Sequence, residues 1–244
     1  MFGRLALALG LLLSGSGLGY AQTVDDIVAK TIAAQGLEKM KSVQTMRMTG
    51  TMTITPPGID AAIVVENKRP MKTRVTITVQ GIENAQAYDG TAGWSFMPVQ
   101  GKAAAEPATS DEMKDLRQQS DMDGTLMDYK AKGHKVELLG KEAVEGTDAW
   151  KLKVTLKDGD VQYTYVDAEH FLPIKMETTR IINGTEMKTE TMIGDYKDES
   201  GVMMPHAIEA RVPGIGVTQK IAVQKVEMNV AIDDARFKMP APAK

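Results

Sequence analysis

Thr45-Met46-Arg47-Met48-Thr49-Gly50-Thr51-Met52-Thr53-Ile54 decides the fold. Met46, Met48, Met52 and Ile54 share one parity, and Thr45, Arg47, Thr49, Thr51 and Thr53 share the other. A period of two places alternate side chains on opposite faces, so this segment is a half-buried β-strand. Pro56-Pro57-Gly58 then turns the chain.

The same period runs outward from there. Ile59, Ala61, Ile63 and Val65 alternate up to Pro70, and Met71, Val75, Ile77 and Val79 alternate after it. Gly81 makes the next turn, and strands at 82–88 and 93–97 flank Asp89-Gly90. Residues 100–109 read as a loop. Strands resume near His134, and Trp150, Leu152, Val154 and Leu156 alternate with Lys151, Lys153, Thr155 and Lys157. Asp158-Gly159 is a hairpin signal before Val161, Tyr163 and Tyr165. Segments 171–182 and 185–196 flank Asn183-Gly184, and 202–212 and 216–228 flank Pro213-Gly214. Helices are predicted over 23–35, capped by Thr23 and ended by Gly36, and over 110–119, capped by Ser110. Residues 37–41 add a short turn. Residues 124–130, with Leu126, Met127 and Tyr129, form a short helix or an ordered loop. Roughly ten or eleven strands joined by short turns make a strongly curved sheet or barrel. The polar parity is rich in Lys, Arg and Glu and lacks aromatic girdles, which argues against a transmembrane barrel.

The first residues predict export. Arg4 precedes the apolar run Leu5 to Leu13, and Gly19-Tyr20-Ala21 supplies small residues for cleavage. Residues 1–21 therefore read as a signal peptide, which places a single domain of residues 22–244 in the periplasm. Removing Arg4 takes the basic count from 29 to 28 against 32 acidic residues, a net charge of −4. That balance, without a basic stripe, argues against a nucleic-acid partner. With no cysteine, disulfides, thiolate metal sites and a cysteine nucleophile are excluded. Aromatics are only 5% while Met reaches 17, and Met suits surfaces that adapt to varied apolar partners.

No chemical motif emerges. His134, His170 and His206 lack metal-ligand spacing, and no nucleophile elbow or P-loop occurs. Glu112, Asp121 and Asp123 can in principle hold a cation, but acids at helix ends explain them more simply. No catalytic residue, metal or cofactor is expected, and the chain is not expected to be an enzyme.

Three segments carry a resemblance. They are Lys68-Arg69-Pro70, Tyr88-Asp89-Gly90-Thr91-Ala92-Gly93-Trp94-Ser95-Phe96-Met97-Pro98, and Ala231-Ile232-Asp233-Asp234-Ala235-Arg236-Phe237. In this order the chain resembles the LolA-type periplasmic lipoprotein carriers and their outer-membrane lipoprotein-sorting relatives, over nearly all of its mature length. The resemblance implies a half-open antiparallel β-barrel, here of about eleven strands, with two or three helices forming a lid or plug over an apolar cavity. It implies a carrier that binds lipoprotein acyl chains or lipid and ferries them towards the outer membrane. Its partners would be an inner-membrane transporter complex and an outer-membrane acceptor. A binder of a free lipid or other hydrophobe, and an envelope-stress sensor or interaction module, are alternatives with the same fold. The arginine that in the carriers holds the lid through backbone carbonyls falls at Arg69, with Leu126 and Met127 as further lid residues. The aromatic a few positions later falls at Thr73, a departure. Cavity-lining residues are expected at Met46, Met48, Met52, Ile63, Val65, Met71, Val75, Ile77, Trp94 and Phe96.

Overall fold

The period-two segments pair with antiparallel neighbours into one sheet. The computed structural model describes residues 22–241 apart from 103, 183, 184 and 215, with the side chains of 180–186 also outside the description. The expected signal peptide of residues 1–21 and the Asn183-Gly184 turn thus lie outside the described residues. In chain order the strands are β1 (Thr45–Thr55), β2 (Ile59–Lys68), β3 (Lys72–Val79), β4 (Ile82–Tyr88), β5 (Gly93–Phe96) and β6 (Glu106–Pro107). After a long connection come β7 (Lys135–Val144), β8 (Thr147–Thr155), β9 (Val161–Asp167) and β10 (Pro173–Ile182). The last three are β11 (Thr185–Glu199), β12 (Val202–Arg211) and β13 (Thr218–Met228). The helices are α1 (Val24–Gln35), α2 (Leu37–Met40) and α3 (Ser110–Ser120).

The strand order is β6-β5-β4-β3-β2-β1-β13-β12-β11-β10-β9-β8-β7. Two meanders therefore meet at the β1–β13 pair, and β6 and β7 are left as edges. The sheet is open, as a half-open barrel requires. It has thirteen strands rather than about eleven, in part because Glu106–Pro107 pairs with β5 inside a stretch read as loop. Bulges between Thr49 and Gly50, Leu138 and Gly140, and Pro173 and Lys175 add local bend and twist. Gly50 is needed there, because a Cβ would lie 2.3 Å from the Ala222 carbonyl oxygen.

This order explains where the helices go. The connection from edge β6 to edge β7 must cross the open side of the sheet, and it carries α3 and the 121–134 segment. α3 packs against the inner face of β3–β5, where Met113 and Leu116 approach so closely that a Cβ at residue 93 would force their side chains to shift. The N-cap of α3 is Thr109 rather than the expected Ser110, in a reciprocal box with Glu112. Residues 124–130 form an ordered run of turns rather than a helix. α1, capped by Thr23 as expected, covers the opposite end of the sheet. Its Ile27 and Val28 pack with Leu152, Val154 and Val166 of β8 and β9 in the largest buried cluster. Burying each such side chain contributes about 1.5–3 kcal/mol. No helix among the described residues is long and apolar enough to cross a membrane.

Candidate functional site: a methionine-lined cavity beneath a clasped lid

Between the ends covered by α1 and α3, the concave face is roofed by α2 and the 121–126 segment. A cavity of about 260 Å³ lies beneath them. Six methionines line it: Met40 of α2, Met46 of β1, Met122 of the roof, Met176 of β10, and Met203 and Met204 of β12. They are joined by Leu37, Leu126, Ile193 and Tyr196. A wall of thioethers on flexible stems can re-form around an irregular apolar guest with little strain.

The floor also carries a polar strip. Gln162 and Thr164 of β9 are almost fully buried. Gln162 Nε2 donates to Thr164 Oγ1 at 3.1 Å, and its Oε1 accepts from Gln118 Nε2 of α3 at 3.1 Å. Tyr196 donates to the Pro173 carbonyl at 2.7 Å, and burial pushes its phenol pKa above the usual range. The buried polar groups of the floor are thus hydrogen-bonded within the protein, and the open surface left to a guest is mainly apolar.

Arg69 holds the roof. It sits in the turn between β2 and β3, and its guanidinium is mostly buried. Nε donates to the Val43 carbonyl at 2.8 Å and one terminal nitrogen to the Met40 carbonyl at 2.9 Å. Both terminal nitrogens also grip the Asp123 carboxylate, at 2.8 and 2.5 Å. The planar fork of a guanidinium can satisfy such divergent acceptors together, which a lysine ammonium cannot. The hydrogen bonds from Arg69 hold the Asp123 carboxyl below the ordinary aspartate value. Further ties bind the roof at its margins: Asp25 of α1 to Lys130 and Tyr129, Lys41 to Asp128, and Asp121 to Lys132. The three acids considered as a cation site are therefore separately engaged, Glu112 in its cap, Asp121 by Lys132 and Asp123 by Arg69. No group of three metal-ligating side chains occurs among the described residues.

The expected site residues divide. Met46 and Leu126 line the cavity, and Met127 is buried at the roof. By strand register Met48, Met52, Ile63, Val65, Val75 and Ile77 share the concave face with Met46. Most of them form a separate apolar cluster towards the other end of the strands, with Ile54, Val79 and Ile221. Met71 lines a groove outside the cavity. Trp94 and Phe96 correct the expectation. They pair with Ala87 and Ala85, which register places on the convex face. There Trp94 Nε1 donates to the Phe237 carbonyl at 2.8 Å, and Arg74 lies 5.3 Å from its ring centroid. On this same face the buried Glu66 joins Arg47 to Arg236, and Asp234 bridges Lys68 and Lys72. The closing segment 231–237 is thus a strap over the back of the sheet. Thr73, the departed aromatic position, is fully buried on the concave face opposite Tyr88.

Residues 61–241 match the model of a protein family whose description reads "-like: Uncharacterized protein". The chain belongs to that family. No curated protein matches the chain. Among solved structures it is similar to a LolA superfamily protein from Nitrosomonas europaea, at 15% identity and a TM-score of 0.63. That match covers 89% of this chain and 98% of the other. A DUF1329 family protein from Desulfovibrio piger superposes with a TM-score of 0.61 at 14% identity, over 87% of this chain and 97% of its own. A domain described as an outer membrane lipoprotein-sorting protein, from Vibrio parahaemolyticus, gives a TM-score of 0.59 at 12% identity, over 86% of this chain and 97% of its own. The fold is LolA-like.

Proposed function

We propose that this protein is a non-enzymatic periplasmic carrier that takes acyl chains of a lipoprotein or lipid into the methionine-lined cavity and ferries them towards the outer membrane. The observation that carries this reading is the cavity itself, roofed by segments that a single arginine fastens to the sheet. Such a container gains about 0.8 kcal/mol per buried methylene, without specific polar contacts. Its LolA-like fold, and its likeness to a lipoprotein-sorting domain, support the same reading. An inner-membrane donor and an outer-membrane acceptor are the partners this reading requires.

One observation favours a smaller guest. At about 260 Å³ the cavity lies just under the roughly 300–1,000 Å³ of ordinary ligand sites. One acyl chain needs less displacement of the roof than the several chains of a lipoprotein, so a free single-chain lipid is the second reading.

The test is native mass spectrometry of the full chain expressed with its leader and recovered from a bacterial periplasm. Bound acyl species are expected, with masses that separate lipoprotein from free lipid. A ligand-free protein that also fails to take up a fluorescent fatty acid rules out both readings.

A further inference from the structure

A second recess adjoins the cavity from outside. It is a groove of about 570 Å³ between α3, the 121–134 segment and the β8–β9 hairpin. Met71 and Leu156 give it apolar wall, and Lys114, Arg117, Lys132 and Lys157 stand around it. Two of these cations are already matched. Lys114 pairs with Asp160 at 3.2 Å, and Lys132 pairs with Asp121. The third acid of the groove, Asp158, accepts the backbone N–H of Asp160. His134 Nδ1 is occupied by the backbone N–H of Lys157 at 3.1 Å. Arg117 and Lys157 are exposed and have no ion pair among the described residues.

The groove and the cavity touch. Asp121 and Thr125 line both. Gln118 faces the groove and Gln162 the cavity, and the hydrogen bond between them lies across the boundary. An apolar-walled mouth with two cations and one carboxylate, Asp158, outside any ion pair among the described residues, a net excess of positive charge, therefore opens beside an apolar chamber.

We propose that this groove holds the anionic head group of an amphiphile whose acyl chain passes the Gln118–Gln162 pair into the cavity. The inference rests on the container reading and adds the charge of the guest. Chain burial is blind to the head group, because each methylene contributes alike. Head-group selection falls to the rim, where the exposed Arg117 and Lys157 can lay alkyl stems on apolar wall while keeping their charges in water. Arg117 can meet a carboxylate or phosphate with two parallel N–H donors. Because the site is wet, the selectivity is modest and falls with added salt.

The experiment measures binding of the mature chain to palmitate, palmitoyl lysophosphatidate and hexadecanol, at low and high salt. The unaltered chain is expected to bind both anionic probes about tenfold more tightly than the alcohol at low salt. That ratio should fall towards one with added salt, and in the double variant Arg117→Gln/Lys157→Gln. A stronger phosphate arm assigns a phospholipid head, and a stronger carboxylate arm a free fatty acid. Equal affinity for all three probes in the unaltered chain overturns the head-group site while the container stands. A ratio that survives the double substitution overturns it as well. Failure of every probe to bind overturns the container reading and this inference together.

Discussion

Arg69 gathers three acceptors from two separate segments onto one side chain. Arg69→Leu leaves the Met40 and Val43 carbonyls and the Asp123 carboxylate without their donor. That should cost about 2–4 kcal/mol of stability. The loss should be local, so hydrogen exchange rises most at 37–43 and 121–130. Arg69→Lys should restore little of the protection, because a point charge cannot reach all three acceptors. Asp123 gives the pair a pH signature. Its folded pKa lies below the ordinary 3.8, so the stabilisation is complete above that value and is lost as pH falls through the lower folded one. Thermal melts of the parent should therefore lose this contribution only in acid. Asp123→Asn should melt lower than the parent at neutral pH and show a shallower acid decline. An acid limb unchanged by that substitution removes Asp123 from the account.

At the scale of elements, the joint between α1 and α2 is packed directly against backbone. Gly36 has φ 68°, and a Cβ there would lie 2.2 Å from the Gly201 carbonyl oxygen, on the turn between β11 and β12. Gly36→Ala combines left-handed strain with a clash against backbone, so it should lower the melting temperature and loosen α2 over the cavity. A variant that melts with the parent would show that the turn yields freely. This joint was legible in the sequence, because Thr23, the stripe of Val24, Ile27 and Val28, and Gly36 obey local rules. The cap of α3 was one residue out, since Thr109 and Ser110 are both competent caps and only the reach of Glu112 selects between them. Strand parity was legible too, but the inward face was not. In β4 both parities carry apolar or aromatic side chains, in β5 the aromatic parity of Trp94 and Phe96 is the convex one, and the 231–237 strap, more than a hundred residues away in the chain, closes over Trp94. The cavity itself was half visible. Its methionines come from separate segments that only the curved sheet brings together, and the excess of Met was the one signal that announced them.

At the scale of the molecule, an open sheet leaves two edges. β6 is only two residues long, whereas β7 is a full strand with Leu139 exposed. Lys135 and Glu137 are exposed on it and discourage pairing with a second chain. Lys135→Thr/Glu137→Val should therefore shift the protein towards larger species in size-exclusion chromatography with light scattering. An unchanged mass would mean that the bulge at Gly140 protects the edge by itself. The strap on the convex side reaches further than the edge does. Asp234 grips Lys68 and Lys72, the residues that flank the turn bearing Arg69. In mechanical terms, the tail and the latch share one load path. A handle fused after Phe237, such as a purification tag or a surface tether, would hang its weight on the hinge that keeps the container closed. One inserted at the exposed Gln80-Gly81 turn would leave that hinge unloaded.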